Sequence, residues 1–180
     1  EISFGCLYTI ADDVRYKMDM NKGTKKELAT GLNEDQYVAS EDGHLVAYEK
    51  EDPSKSKSVT VMNLETDQEY EVTCKDGECI KPLGFMDGDF VYGVAKTEEV
   101  GTTLSGAQVI PMYKVEITSS KDKVIKTYEQ SGIYMLSATF EDNMITLDRA
   151  VKDGDTYTGT AQDYITSSEE AKESNIYVQT

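Results

Sequence analysis

Three stretches of this chain repeat one pattern at an interval too long for a hairpin and too short for a domain. They are "RYKMDMNKGTKKEL" (15–28), "VTVMNLETDQEYEV" (59–72) and "MYKVEITSSKDKVI" (112–125). Each is an alternating run ending on an acid or Asn followed by an apolar residue, then a polar turn and a second strand-like run. The marker pairs Asp19-Met20, Asn63-Leu64 and Glu116-Ile117 are spaced 44 and 53 residues apart. A hairpin signal follows each marker in step: Asp42-Gly43 23 residues on, Asp87-Gly88 24 on and Asp142-Asn143 26 on. Behind each hairpin comes a compact apolar run, "HLVAYEK", "DFVYGVAK" and "NMITLDRA", and a fourth, "GCLYTI" (5–10), stands before the first alternating stretch without a preceding hairpin of its own. Self-similarity at a period of about 45 residues, with about four short strands in each, marks a propeller blade or a comparable stacked meander.

The expected fold class is therefore all-β: about four β-meander blades of a β-propeller, partial or small, in a single domain over residues 1–180, with units near 1–32, 33–75, 76–130 and 131–180. Labelled from the inside outwards, A strands are expected at 36–40, 80–86 and 133–140, the first unit lacking one. B strands are the apolar runs behind the turns. C strands fall around 16–20, 59–64, 112–117 and 157–165, and the more polar D strands near 26–29, 69–74 and 123–129. B strands apolar on successive residues imply burial on both faces, where a two-sheet sandwich would alternate throughout. Only "SSEEAKES" (167–174) reads as helix, with a Ser N-cap candidate and acids in its first turn.

Charge excludes some functions. Acidic residues number 34 against 18 basic ones, a net −16 with no Lys/Arg stripe, which repels phosphate backbones and argues against nucleic-acid binding. No apolar run approaches the roughly 20 residues that cross a bilayer, so no transmembrane segment is expected. Of the three cysteines, Cys74 and Cys79 frame "CKDGEC". A two-residue type I′ turn at Asp76-Gly77 would set them opposite each other at a non-hydrogen-bonded position, where a cross-strand disulfide forms in an oxidising compartment; otherwise they are two unpaired strand cysteines. With one His in the chain this spacing does not complete a zinc tetrahedron, and no metal site and no cofactor are expected.

The residues also carry a resemblance. "SEDGHLVAY" resembles the "SPDG...LAY" signature of TolB and dipeptidyl-peptidase-IV type β-propeller repeats, and "VTVMNLETDQEYEVT" is similar to their "IYVMDLETGE...LT". Residues 36–74 match best, with Glu41 in place of the motif's Pro. The resemblance implies six to eight blades where this chain supplies about four. Either it is a portion of a longer propeller or it closes a small ring in which "SNIYVQT" supplies the missing strand. The resemblance also implies an exported or membrane-anchored, extracytoplasmic protein.

Chemistry is sparse. His44, the single histidine, follows a turn, and no Gly-x-Ser-x-Gly elbow occurs, so no catalytic residue is assigned. Paired turn acids such as Asp87 with Asp89 and Asp153 with Asp155 suit calcium, yet none fits the EF-hand loop and turn formation alone accounts for them. The loops at 51–58 and 97–108, the latter flexible and containing "GTTLSG", are expected to project from one rim, with Tyr48, Tyr92 and Tyr113 as ligand-binding candidates, although a tyrosine on a strand more often serves packing. The reading that follows is a non-enzymatic binding or scaffolding module for a protein, peptide or glycan. The alternative is an accessory portion of a larger hydrolase whose catalytic residues lie outside this chain. A truncated ring exposes two packing faces, through which a homodimer is expected.

Overall fold

The computed structural model describes residues 35–167 with their side chains, apart from 104 and 122; before residue 35 it describes the backbone of 2–3, 6–11, 14–19, 24–30 and 34. Every described element is a strand or a single 3₁₀ turn, and the strands form antiparallel sheets arranged as partial propeller blades. In the first sheet β1 (Ile2–Ser3), β2 (Cys6–Ala11), β3 (Val14–Asp19) and β4 (Thr24–Thr30) pair in chain order. The first unit thus has an inner strand after all, Ile2 pairing with Leu7 and Ser3 with Cys6. Two residues are too few for alternation to show in a sequence.

The second sheet runs β5 (Tyr37–Ala39), β6 (Leu45–Tyr48), β7 (Ser58–Asn63) and β8 (Glu69–Thr73), again in chain order. The third joins β9 (Glu78–Met86) and β10 (Asp89–Lys96) to β13 (Met112–Ser120) and β14 (Lys123–Glu129), while β11 (Gly101–Thr102) and β12 (Gln108–Val109) form a small ribbon within its long loop. In the fourth, β15 (Tyr134–Glu141) pairs with β16 (Met144–Asp153), whose two halves pair with β17 (Thr156–Gly159) and β18 (Asp163–Thr166). The C strand expected at 157–165 is therefore present but interrupted. One ladder pair, Met112 with Met135, connects the third and fourth sheets. The segment expected as helix and the tail "SNIYVQT" lie outside the described residues.

Turn chemistry sets these registers. Asp87 and Gly88 both take positive φ, 52° and 84°, as a two-residue type I′ hairpin requires, and Met86 pairs with Asp89 across it. At Asp42-Gly43 the hairpin is wider. Gly43 (φ 73°) donates its N–H to the Ser40 carbonyl, and the Ser40 N–H bonds the Leu45 carbonyl, so four residues make the loop. Asp142 takes positive φ (45°) between the paired Glu141 and Met144.

The core lies between the sheets. On β10, Phe90, Tyr92 and Val94 pack with Ala47, Val59, Val61 and Val72 of the second sheet. The intervening Val91 and Ala95 pack with Met135, Ile145, Leu147 and Ile165 of the fourth. Phe90, Val91 and Ala95 are fully buried, which explains why this strand is apolar on consecutive residues. Burying each large side chain stabilises by about 1.5–3 kcal/mol. The outermost strand β14, by contrast, is exposed along almost its whole length, Val124 and Ile125 included.

The fourth sheet has one apolar face and one polar face. Ala138, Leu147, Phe140, Ile145 and Ile165 face the third sheet. The opposite face carries Ser137 across from Asp148 and Thr139 across from Thr146, with Tyr164 beside Thr146 and 52% exposed.

Candidate functional site

Part of the rim expected to bind ligand is taken up in packing. In the loop after β10, the ribbon β11–β12 is closed by the Thr103 N–H bonding the Ala107 carbonyl at 2.8 Å and is held against the fourth sheet. Tyr157 donates its hydroxyl to the Glu99 carbonyl at 2.7 Å, Tyr134 donates to Glu99 Oε1 at 3.2 Å, and the two rings meet edge to face at 5.3 Å. Burial pushes Tyr157 up to about 12, with Glu99 adding to the effect. In the loop after β6, Pro53, Ser54 and Ser56 are buried, and Asp52 accepts from the Ser54 hydroxyl at 2.5 Å. The base of the segment expected as a flexible loop at 97–108 is held, by its own ribbon and by two tyrosines at Glu99.

The three candidate tyrosines are engaged within the sheets. Tyr48 is buried at 7% exposure and Tyr92 at 4%. Tyr92 stacks on Phe90 at 5.5 Å and donates its hydroxyl to Glu116 Oε2 at 2.6 Å. Tyr113, half-buried, donates to Glu78 Oε1 at 2.6 Å, and the ammonium groups of Lys96 and Lys114 lie 6.0 and 5.9 Å from its ring centre. Burial raises the Tyr92 and Tyr113 hydroxyls well above the usual phenol range, the neighbouring glutamates adding to it.

Cys74 and Cys79 are free thiols. The turn between them carries positive φ at Gly77 (81°) only, and it links two sheets rather than two strands of one sheet. Cys79 pairs with Ala95 on β10 and packs toward the fourth sheet, whereas Cys74 packs toward the second. The type I′ geometry that would have set them face to face is therefore not formed.

At the opposite end of the strands lies a cleft of about 690 Å³, where the inner strands β5, β9 and β15 come together. Its floor is Val38, Leu83, Phe85 and Phe140, all half-buried, and its rim is Glu41, Glu141 and Asp142, all exposed. Gly84 lets it form, since a Cβ there would stand 2.6 Å from the Phe140 ring. Hairpin turns place the rim: Glu41 sits in the turn after β5, and Glu141 and Asp142 at the turn after β15. None of these floor residues was a candidate from sequence. A glycine inside an apolar strand, followed at once by an Asp-Gly turn, is the signal that points to them.

Among the described residues no group of three or more His, Cys, Asp or Glu is placed to hold a metal ion. His44 Nδ1 lies 3.0 Å from Glu65 Oε1, a pairing at the surface rather than a catalytic dyad with a nucleophile. No described helix is long and apolar enough to cross a membrane.

No family model matches the chain, and no curated protein matches it. Solved structures do. The chain is similar to U3-55K, at 13% identity over 90% of this chain and 48% of that one, with a TM-score of 0.45. It is similar to YCF48 bound to D1 peptide, at 10% identity over 88% of this chain and 50% of that one, with a TM-score of 0.49. It is similar to the β-propeller domain of the trilobed protease from Pyrococcus furiosus, at 12% identity over 87% of this chain and 52% of that one, with a TM-score of 0.43. The chain spans about half the length of these proteins. The likeness is one of propeller-like sheets, and no particular family is assigned by it.

Proposed function

We propose that the protein is a non-catalytic binding module that receives a segment of another protein in the inner-strand cleft. One observation carries the reading: Leu83, Phe85 and Phe140, although packed against the core, stay partly exposed at a concave meeting of three sheets, while Tyr157 fastens the long loop of the opposite rim at Glu99. Concave apolar surface with a few polar groups at its margin is the general form of a recognition site. Leu and Phe side chains already packed on regular strands are pre-organised, which lowers the ordering cost of binding.

An array of random peptides probed with the native chain and with a Leu83→Asp variant tests this. Retention of the native chain on a subset of peptides, lost in the variant while its amide spectrum stays folded, is the expected result. Equal retention of both proteins overturns the cleft as the binding site.

A further inference from the structure

The acids at this end of the molecule divide into two groups. Asp42 accepts from the Ser40 hydroxyl at 2.6 Å and the His44 N–H at 3.0 Å, contacts that hold its carboxyl below the usual range. Asp87 accepts from the Ser167 hydroxyl. Asp42 is thus engaged within its own turn and Asp87 by the residue that follows β18. Glu41, Glu141 and Asp142 are different: each lines the cleft, each is exposed, and none makes a side-chain hydrogen bond or ion pair among the described residues.

Among the described residues no Lys, Arg or His lines the cleft, and the whole chain carries a net charge of −16. Unneutralised like charges around a concave apolar floor raise the energy of the empty site and attract a cation to it. Resting on the cleft reading above, we infer that the occupant is a basic peptide segment. One apolar or aromatic side chain of it sits between Leu83, Phe85 and Phe140, and flanking Lys or Arg side chains meet Glu41, Glu141 and Asp142. Charge complementarity of this kind sets partner choice and on-rate, and the apolar anchor supplies contact area. An acidic peptide or a nucleic acid is repelled by the same three carboxylates.

The test uses three defined probes, the amidated peptides Arg-Phe-Arg-Phe-Arg, Arg-Ser-Arg-Ser-Arg and Glu-Phe-Glu-Phe-Glu, titrated into the full chain while amide NMR shifts are followed. The protein variant is Glu41→Gln/Glu141→Gln/Asp142→Asn; Asn tolerates the positive φ of 45° at position 142, so the turn is retained. The Arg-Phe peptide is expected to shift the amides of Gly84, Phe85 and Glu141 and to bind at least about tenfold tighter than either other peptide. Its affinity is expected to fall about tenfold in the triple variant, and also between about 0.05 M and about 0.3 M salt in the native chain.

Equal binding of the Arg-Phe and Glu-Phe peptides, or no loss in the triple variant, overturns the basic-peptide inference and leaves the cleft standing. Absence of cleft shifts with all three peptides overturns both. A dimer in sedimentation velocity that protects the cleft amides overturns the inference in favour of a second copy as the occupant.

Discussion

The ring of Phe140, on the inner strand of the fourth sheet, lies across Gly84 on the inner strand of the third, so close that a Cβ at Gly84 would stand 2.6 Å from Phe140 Cε2. A side chain at position 84 would therefore force the Phe140 ring to shift. Gly84→Ala is expected to lower stability by about 1–3 kcal/mol, the usual cost of overpacking. In the double variant with Phe140→Leu, which removes the ring edge, the effect of the alanine shrinks. Urea midpoints of the four proteins give the coupling, and simple additivity would refute the contact.

Glu49 supplies a pH dependence of known sign. Its side chain is buried at 1% exposure, and neither carboxyl oxygen has a hydrogen-bond partner, because the nearby Ser56 hydroxyl donates to the Ser58 carbonyl at 2.9 Å. Burial, reinforced by Asp35 and Asp52 and opposed by Lys81, pushes its carboxyl up to about 8. The folded chain thus holds a proton there that the unfolded chain releases near 4.5. Stability present below that pH is lost progressively as pH rises toward about 8. Glu49→Gln is expected to be close to neutral at acid pH and more stable than the native chain by up to several kcal/mol at alkaline pH. Urea denaturation at both extremes measures the difference; a constant one would refute the assignment.

Arg149 ties the edge of the third sheet to the end of the fourth. Its Nη1 donates to Gln130 Oε1 at 2.8 Å, Tyr128 Oη at 3.1 Å and Asp163 Oδ2 at 3.3 Å, and its Nε donates to the Ala161 carbonyl at 2.7 Å. A lysine keeps the charge but not the fork. Arg149→Lys is expected to cost about 1–3 kcal/mol and to speed amide exchange across residues 160–166 before the rest of the chain. Unchanged exchange in that segment would show that the tie is not carrying it.

The two described cysteines are expected to differ in reactivity. Cys79 is fully buried and its thiol is pushed up to about 11 by burial, with Cys74 and Glu49 adding to it. Cys74 is only half-buried. Iodoacetamide at mildly alkaline pH should label Cys74 slowly and Cys79 only in denaturant, as read by peptide mass mapping. A peptide pair released on reduction would instead reveal a bond between them.

Much of the fold was legible because its punctuation is local. Asp87-Gly88 demands two positive φ angles, and that demand alone places β9 against β10. Phe90 through Val94, apolar on successive positions, announced a strand with neighbours on both sides. Two-residue β1 was not legible, and neither was the break at 160–162, where β16 pairs with two short strands in place of one. The site was less legible still. Tyr48 and Tyr92 were candidates for ligand stacking as well as for packing, and their burial settles on packing, Tyr92 against the second sheet; the burial of Glu49 has no local signature at all. The cleft depends on which inner strands meet, a property of sheet arrangement rather than of any short segment.

The two-sided packing of β10 carries a penalty for misplacement. A slip of one residue would send Val91, Gly93 and Ala95 where Phe90, Tyr92 and Val94 belong, leaving holes against the second sheet and clashes against the fourth at the same moment. Two interfaces therefore proofread one strand. The third sheet behaves as a keystone, and melting of either neighbour is expected to propagate through it rather than stop at a sheet boundary.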